Sequence, residues 1–294
     1  MKTTLDCVPC LIRQAIEASR LVALEPCLQE CFVRDVLRWA SEMDLNGPPP
    51  QLAQHIQRHL RELSRVEDPY RALKDQQNHL VLRLLPELQA RLNAAPDPLG
   101  LAVRLAIAGN VIDLGVKADL EESEVRRALE EALTETFVGD LEAFRQALAE
   151  ARSILYLADN AGEIALDRLL IAQIGPDRVT LAVRGGPVLN DATRSDAQTV
   201  GLEGWVRLID NGSDAPGTLL EDCSEAFRDQ FRRADLILAK GQGNFETLSL
   251  AKGNLFFLFK AKCAVIASHA GVPLGAHVLV RTVATHPELY GVEA

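Results

Sequence analysis

The sequence predicts an α/β protein in which a helical N-terminal domain, residues 1–150, precedes a Rossmann-like three-layer α/β/α domain, residues 151–294, with a mainly parallel sheet. Three observations carry that expectation. Up to about residue 150 the chain reads as one helical stretch after another. Beyond it come short apolar runs rich in β-branched residues, separated by Gly-containing turns and further helical stretches. The length of 294 residues is about twice the common domain size of roughly 150.

In the helical half, Leu101, Leu105, Ala108 and Ile112 recur at intervals of four, three and four, the spacing of one helical face. Breaks fall at Asn46–Pro50, at Asp68-Pro69 and at Ala95–Pro98, where Pro and Gly interrupt the helical pattern. In the second half the expected strands are Ile154–Ala158, Val179–Val183, Trp205–Ile209, Leu236–Ala239 and Ala264–Ala267, with Val278–Val283 as a sixth candidate. Helices such as Ile164–Ile174 and Ser224–Arg232 alternate with them, which implies parallel βαβ units with helices on both faces.

Composition narrows the class. With 48% hydrophobic and 24% charged residues the chain is neither disordered nor collagen-like. A net charge of -10, with no basic tail in either half, argues against nucleic acid as a partner, because phosphate backbones are held by an excess of Lys and Arg. No apolar run is long enough to span a bilayer, and MKTTLDCVPC lacks the layout of a signal peptide, so the expectation is a cytoplasmic chain with no membrane partner. In that compartment the six cysteines are thiols, metal ligands or redox pairs rather than a disulfide framework. The sequence leaves the oligomeric state open.

Ligands of open parallel sheets bind beyond the carboxyl ends of the strands, and here those ends are polar. They read Asp159-Asn160-Ala161-Gly162-Glu163, then Arg184-Gly185-Gly186-Pro187 with Asn190-Asp191, then Asp210–Thr218, then Lys240-Gly241-Gln242-Gly243-Asn244-Phe245-Glu246. Asp159, Asn160 and Asp191 form the oxygen-only donor set that Mg²⁺ or Mn²⁺ prefers. A cation there, Lys240 across the crevice and Gly-rich turns with free N–H groups would hold a phosphoryl group and activate water. Taken singly, each loop reads equally well as an N-cap or a simple turn; four on one edge favour a site.

Two stretches stay ambiguous. The helix from Leu99 to Leu114 is apolar nearly all round, so Asn110 and Asp113 serve either a buried hydrogen-bond network or a ligand pocket. Cys7 and Cys10 form a CxxC, and Cys27 and Cys31 a second pair one helical turn apart. A redox pair, a metal half-site and small apolar side chains all remain open for them. Cys223 and Cys263 read as core residues.

Six stretches, CVPC, DPLGLAVRLAIAGNVIDLG, LADNAGEIALD, VRGGPVLNDAT, NGSDAPGT and AKGQGNFETL, occur in this order over nearly the whole chain. Together they resemble the damage-control phosphatases, long called a family of unknown function, and CVPC points to the prokaryotic-type branch. The resemblance implies a metal-dependent phosphatase acting on a small phosphorylated metabolite, such as a damaged or surplus sugar phosphate. It implies one divalent cation, Mg²⁺, Mn²⁺, Co²⁺ or Ni²⁺, with the metal ligands falling on Asp159, Asn160 and Asp191. The family's phosphate-contacting Lys falls on Lys240, and the GNxxD helix on Gly109, Asn110 and Asp113, which turns the ambiguity there towards a pocket role.

On this reading Asp159, Lys240 and Glu163 are the catalytic candidates, with Glu163 orienting the water. Asn110, Asp113, Gly162, Arg184, Gly185, Asp214, Lys240 and Gly241 are the substrate-binding candidates, the backbone amides around Gly162 and Gly185 receiving phosphoryl oxygens. Two rivals stand beside it. A nucleotide- or S-adenosylmethionine-dependent enzyme, such as a carboxyl methyltransferase, would want GxGxxG after the first strand, where this chain has Asp159–Ile164 instead. A non-catalytic metabolite-binding or redox-sensing protein would use the CxxC as its sensor.

Overall fold

The computed structural model describes residues 1–109 and 122–282. Asn110 and Asp113 therefore lie outside the described residues. The chain opens with α1 (Cys7–Leu21), α2 (Pro26–Glu42), α3 (Pro49–Ser64), α4 (Arg71–Asn93), α5 (Pro98–Ala108) and α6 (Glu122–Thr134). The breaks read from the sequence fall between these helices. Pro26, Pro49 and Pro98 each sit in a first helical turn, where a missing N–H costs nothing.

The sheet then builds through β1 (Phe137–Gly139), α7 (Leu141–Glu150), β2 (Ile154–Leu157), α8 (Glu163–Ile174), β3 (Val179–Val183), α9 (Arg194–Thr199) and β4 (Arg207–Asp210). It continues with α10 (Glu225–Arg233), β5 (Leu236–Lys240), α11 (Gly241–Leu248), β6 (Leu255–Lys260), α12 (Ala264–Ala270) and β7 (His277–Arg281). The strand order is β1-β7-β6-β5-β2-β3-β4. Every pairing is parallel except β6 with β7. The α/β fold with a mainly parallel sheet between helical layers is thus observed.

Two elements differ from the sequence reading. Ala264–Ala267 is not a strand but the first part of α12. The strand is the run Leu255–Lys260, buried along nearly its whole length. Short apolar runs do not distinguish a buried strand from a buried helix by periodicity, and the flanking Gly253-Asn254 was the better guide. The edge strand β1, on the N-terminal side of residue 150, has only three residues and offers no alternation to read.

Hydrophobic packing falls into three clusters. One joins α4 to α8 to one face of the sheet; another joins α10, α11 and α12 to the other face; the third lies among α1, α2 and α3. The third is tied to the sheet by charge. Asp214, in the loop after β4, accepts hydrogen bonds from Arg58 and Gln54 of α3 at 2.5 and 2.8 Å and from Arg61. Burial works against the Asp214 carboxylate, but these donors outweigh it and hold its pKa below the ordinary value. The α1–α3 layer is thereby held over the carboxyl edge of the sheet, where β2 runs to β3 on one side and β5 to β6 on the other. The switch of direction between β2 and β5 opens a crevice there.

At the far side, His277 of β7 is fully buried beside Glu135, with Lys260 and Arg104 close by. Burial lowers its pKa to about 4, against the attraction of Glu135. The unfolded chain therefore binds a proton at about 6.5 that the folded chain refuses until about 4, so stability falls as pH drops through that window. We expect the urea midpoint to fall between pH 7 and pH 5, and His277→Gln to flatten that fall; an unchanged slope in the variant would remove His277 from the account.

Candidate active site

Asp159 and Asn160 follow β2, and Asp191 lies in the loop between β3 and α9. Backbone pairing brings them together. Asn160 and Asp191 form an antiparallel bridge, the Ala161 N–H donates to Asn190 O at 2.8 Å, and the Ala192 N–H donates to Asp159 O at 2.7 Å. The three residues are 3–7% exposed and border one cleft of about 490 Å³, a size suited to a small molecule.

The amide of Asn160 is oriented from behind. Its Nδ2 donates to Asp159 Oδ2 at 2.9 Å and to Glu163 Oε2 at 3.2 Å, which leaves the carbonyl oxygen as its remaining acceptor. Glu163 is fully buried and is held in turn by Lys240. The Lys240 ammonium donates to Glu163 Oε1 at 2.7 Å, to Asp167 Oδ1 at 2.6 Å and to Ala106 O at 2.8 Å. Burial alone would lower its pKa, but the Asp167 and Glu163 carboxylates overcome that and hold it above its ordinary value.

Arg184 lies behind the other carboxylate. Its Nε donates to Asp191 Oδ2 at 2.7 Å, Nη2 lies 3.7 Å from Asp159 Oδ1, and Nη1 donates to Asn244 Oδ1 at 3.3 Å. Even with that guanidinium present, burial and the neighbouring Glu163 and Asp191 carboxylates push Asp159 well above the usual carboxylate range. Two buried carboxylates brought together beside the Asn160 amide are a donor set that a divalent cation would relieve of its repulsion. Among the described residues no group of three His, Cys, Asp or Glu side chains converges as a metal cage.

The remaining candidates divide by where their atoms point. The Gly162 N–H donates to Asn78 Oδ1 at 2.7 Å, and the Gly185 N–H to Ser213 O at 2.8 Å and Asn211 Oδ1 at 3.0 Å, so both amides are already engaged. Gly241 has φ +79°, and a Cβ there would fall 1.8 Å from Asp159 Oδ2. It makes room for the carboxylate. Lys240, Glu163, Arg184 and Asp214 stand behind or beside the cleft and do not line it.

Several residues that do line it were not singled out from the sequence. Lys262, in the loop after β6, is the one Lys or Arg lining the cleft among the described residues, and its charge draws the Asp159 pKa down. It was hidden by the misplaced strand. Asn190, Gln242 and Glu246 line the cleft as well; burial pushes the Glu246 carboxyl up to about 7. Cys263 is exposed on the cleft wall, not in the core, because it stands at the N-cap of a helix rather than inside a strand. Cys7 and Cys10 line the cleft too, Cys7 close enough to Cys263 to act on its thiol, whereas Cys27 and Cys31 are exposed on α2 away from it.

A family model described as the damage-control phosphatase ARMT1-like domain matches residues 3–278. A damage-control phosphatase of Pyrococcus horikoshii is 33% identical over 289 residues, covering 96% of this chain and 98% of that protein. One from Archaeoglobus fulgidus is 33% identical over 284 residues, covering 94% and 97%. The crystal structure of a DUF89 family protein from Pyrococcus horikoshii superposes with a TM-score of 0.87 at 30% identity, covering 96% of this chain and 99% of that one.

The geometry makes Lys240 a positioning residue with a measurable signature. Replacing it in Lys240→Met leaves Glu163 and Asp167 buried without their cation, which costs about 3–5 kcal/mol in urea unfolding. If Asp159, Asn160 and Asp191 hold a divalent cation, the milder Glu163→Gln should weaken its affinity roughly 10–100-fold by loosening Asn160, read by calorimetric titration. An unchanged affinity in Glu163→Gln would sever the link from Lys240 to the site.

Proposed function

Because the chain belongs to the damage-control phosphatase family, and is on that ground a phosphatase, we propose that it hydrolyses a small phosphorylated metabolite with one divalent cation held by Asp159, Asn160 and Asp191. The observation that carries this reading is the convergence of those three side chains in the crevice between β2 and β5, with Lys262 beside them. The cation, Mg²⁺, Mn²⁺, Co²⁺ or Ni²⁺, would supply the positive charge that polarises the phosphoryl group.

The chain's own groups supply the rest. Lys262 meets the phosphoryl oxygens from the solvent side, in the place that the sequence suggested for Lys240. Lys240 and Glu163 hold Asn160 with its oxygen towards the cation, and Arg184 sets the angle between Asp159 and Asp191. Asn190 and Gln242 offer amides to hydroxyl groups of a small polyol, and the walls formed by Leu11, Leu73 and Val265 exclude water around it.

Among the described residues no helix is long and apolar enough to cross a membrane. Phosphate release from p-nitrophenyl phosphate and from a panel of sugar phosphates tests the reading after chelation and add-back of each metal. We expect turnover to vanish with chelator and return with at least one of the four cations. Asp159→Asn and Asp191→Asn should each lower kcat/KM roughly 100-fold or more. Lys262→Met should lower it with little change in cation affinity. Hydrolysis undiminished by chelator, or full activity in Asp159→Asn, would defeat the proposal.

A further inference from the structure

Three thiols line the cleft, Cys7, Cys10 and Cys263, and none has a part in that chemistry. Cys7 and Cys10 both lie in the first turn of α1, with Cys7 its first helical residue and Cys10 three positions on. Residues so spaced share a face, with Cβ atoms about 5–6 Å apart. A disulfide wants them at about 3.5–4.5 Å, and the first turn of a helix, whose N–H groups lack intrahelical partners, can close by that much.

Burial separates Cys7 and Cys10 from Cys223, whereas Cys263 is exposed on the same cleft and close enough for Cys7 to act on its thiol. Cys10 is exposed, and Arg13 Nη2 donates to its Sγ at 4.0 Å. Cys7 is half-buried, with the Thr4 hydroxyl 3.5 Å from its Sγ. Cys223, by contrast, is buried, and burial pushes its thiol up to about 12, out of the reactive range. Both members of the CxxC line the cleft that holds Asp159, Asn160 and Asp191, so a bond between them changes the wall a substrate meets.

We propose that Cys7 and Cys10 are a reversible dithiol–disulfide pair in the wall of the substrate cleft, oxidised by exchange with a small-molecule disulfide. The exposed Cys10 thiolate attacks one sulfur of that disulfide and expels a thiolate, which takes up the proton Cys10 lost. The Cys7 thiolate then attacks Cys10 Sγ in the mixed disulfide and expels the second thiolate, protonated in the same way. The protein loses two electrons and two protons, and one small disulfide becomes two thiols. Closing the ring pulls in the start of α1, which carries Leu11 and Gln14 of the same wall, and leaves the buried Lys240 network untouched.

The test equilibrates the full chain in glutathione buffers of graded ratio and follows it by thiol titration, intact mass and peptide mapping. Two of the six thiols should disappear, the mass should fall by two hydrogens, the bond should map to Cys7 and Cys10, and dithiothreitol should reverse it. Cys7→Ser and Cys10→Ser should abolish the bond, while the Cys27→Ser/Cys31→Ser double variant should retain it. With p-nitrophenyl phosphate, oxidation should raise KM about threefold or more while kcat stays within about twofold. A chain that stays reduced across the series, a bond mapped to other cysteines, or an oxidised form with unchanged KM would overturn the proposal. The thiol and mass readings need no turnover, so they stand apart from any failure of the phosphatase reading.

Discussion

The Lys240 ammonium is the interaction on which the rest of this molecule depends. It is fully buried at the end of β5 and donates to carboxylates of α8 and to the last turn of α5, joining three elements that apolar packing alone would leave free to slide. Buried charges are tolerated only when paired and hydrogen-bonded. Here each is: Tyr156 of β2 donates to Asp167 Oδ1 at 2.7 Å, and Asn160 donates to Glu163. Burial still pushes Asp167 up to about 6 against the pull of Lys240. The core and the site are therefore parts of one hydrogen-bonded unit, with the orientation of Asn160 as its outermost consequence.

Backbone geometry completes what the ion cluster begins. Gly241 follows Lys240 immediately and has the positive φ that lets the chain turn away from the strand while Asp159 occupies the space of a missing Cβ. Asn244, one turn later, donates to Lys240 O at 2.7 Å and accepts from Thr218 at 2.8 Å, which binds the loop after β4 to α11. Within the KGQGNFE stretch Lys240 and Asn244 thus act inwards, while Gln242 and Glu246 border the cleft.

This explains which parts were legible in the sequence. Strand ends rich in Asp, Asn and Gly mark the carboxyl edge of a parallel sheet, and β2, β3 and β5 were recognisable from their apolar runs. Asp159, Asn160 and Asp191 do converge, because the first two directly follow β2 and the loop after β3 returns to pair with them through Asp191. Periodicity carries no information about which way a side chain faces once a strand has ended. Hence Lys240 turns into the core, Asp214 turns to Arg58 and Arg61, and the Gly162 and Gly185 amides face protein acceptors. Lys262 was invisible for a different reason: the aromatic run Leu255–Lys260 was passed over for Ala264–Ala267, which moved the strand end beyond it.

The electrostatics of the cleft follow from the same placement. Of the cations near Asp159, Lys240 and Arg184 are buried behind the carboxylates, and Lys262 alone among the described residues faces the cleft with them. Asp6, Glu17 and Glu246 add acidic groups to the walls, in keeping with a chain of net charge -10. Such a cleft repels a phosphate dianion while it attracts a divalent cation, because the carboxylates act on both with opposite sign and in a partly desolvated space. On the proposed reading the cation and the phosphate are therefore coupled ligands, each raising the affinity for the other by the same factor. On that reading the net charge of -10 that disfavours long polyanions also makes binding of a short one conditional on the metal.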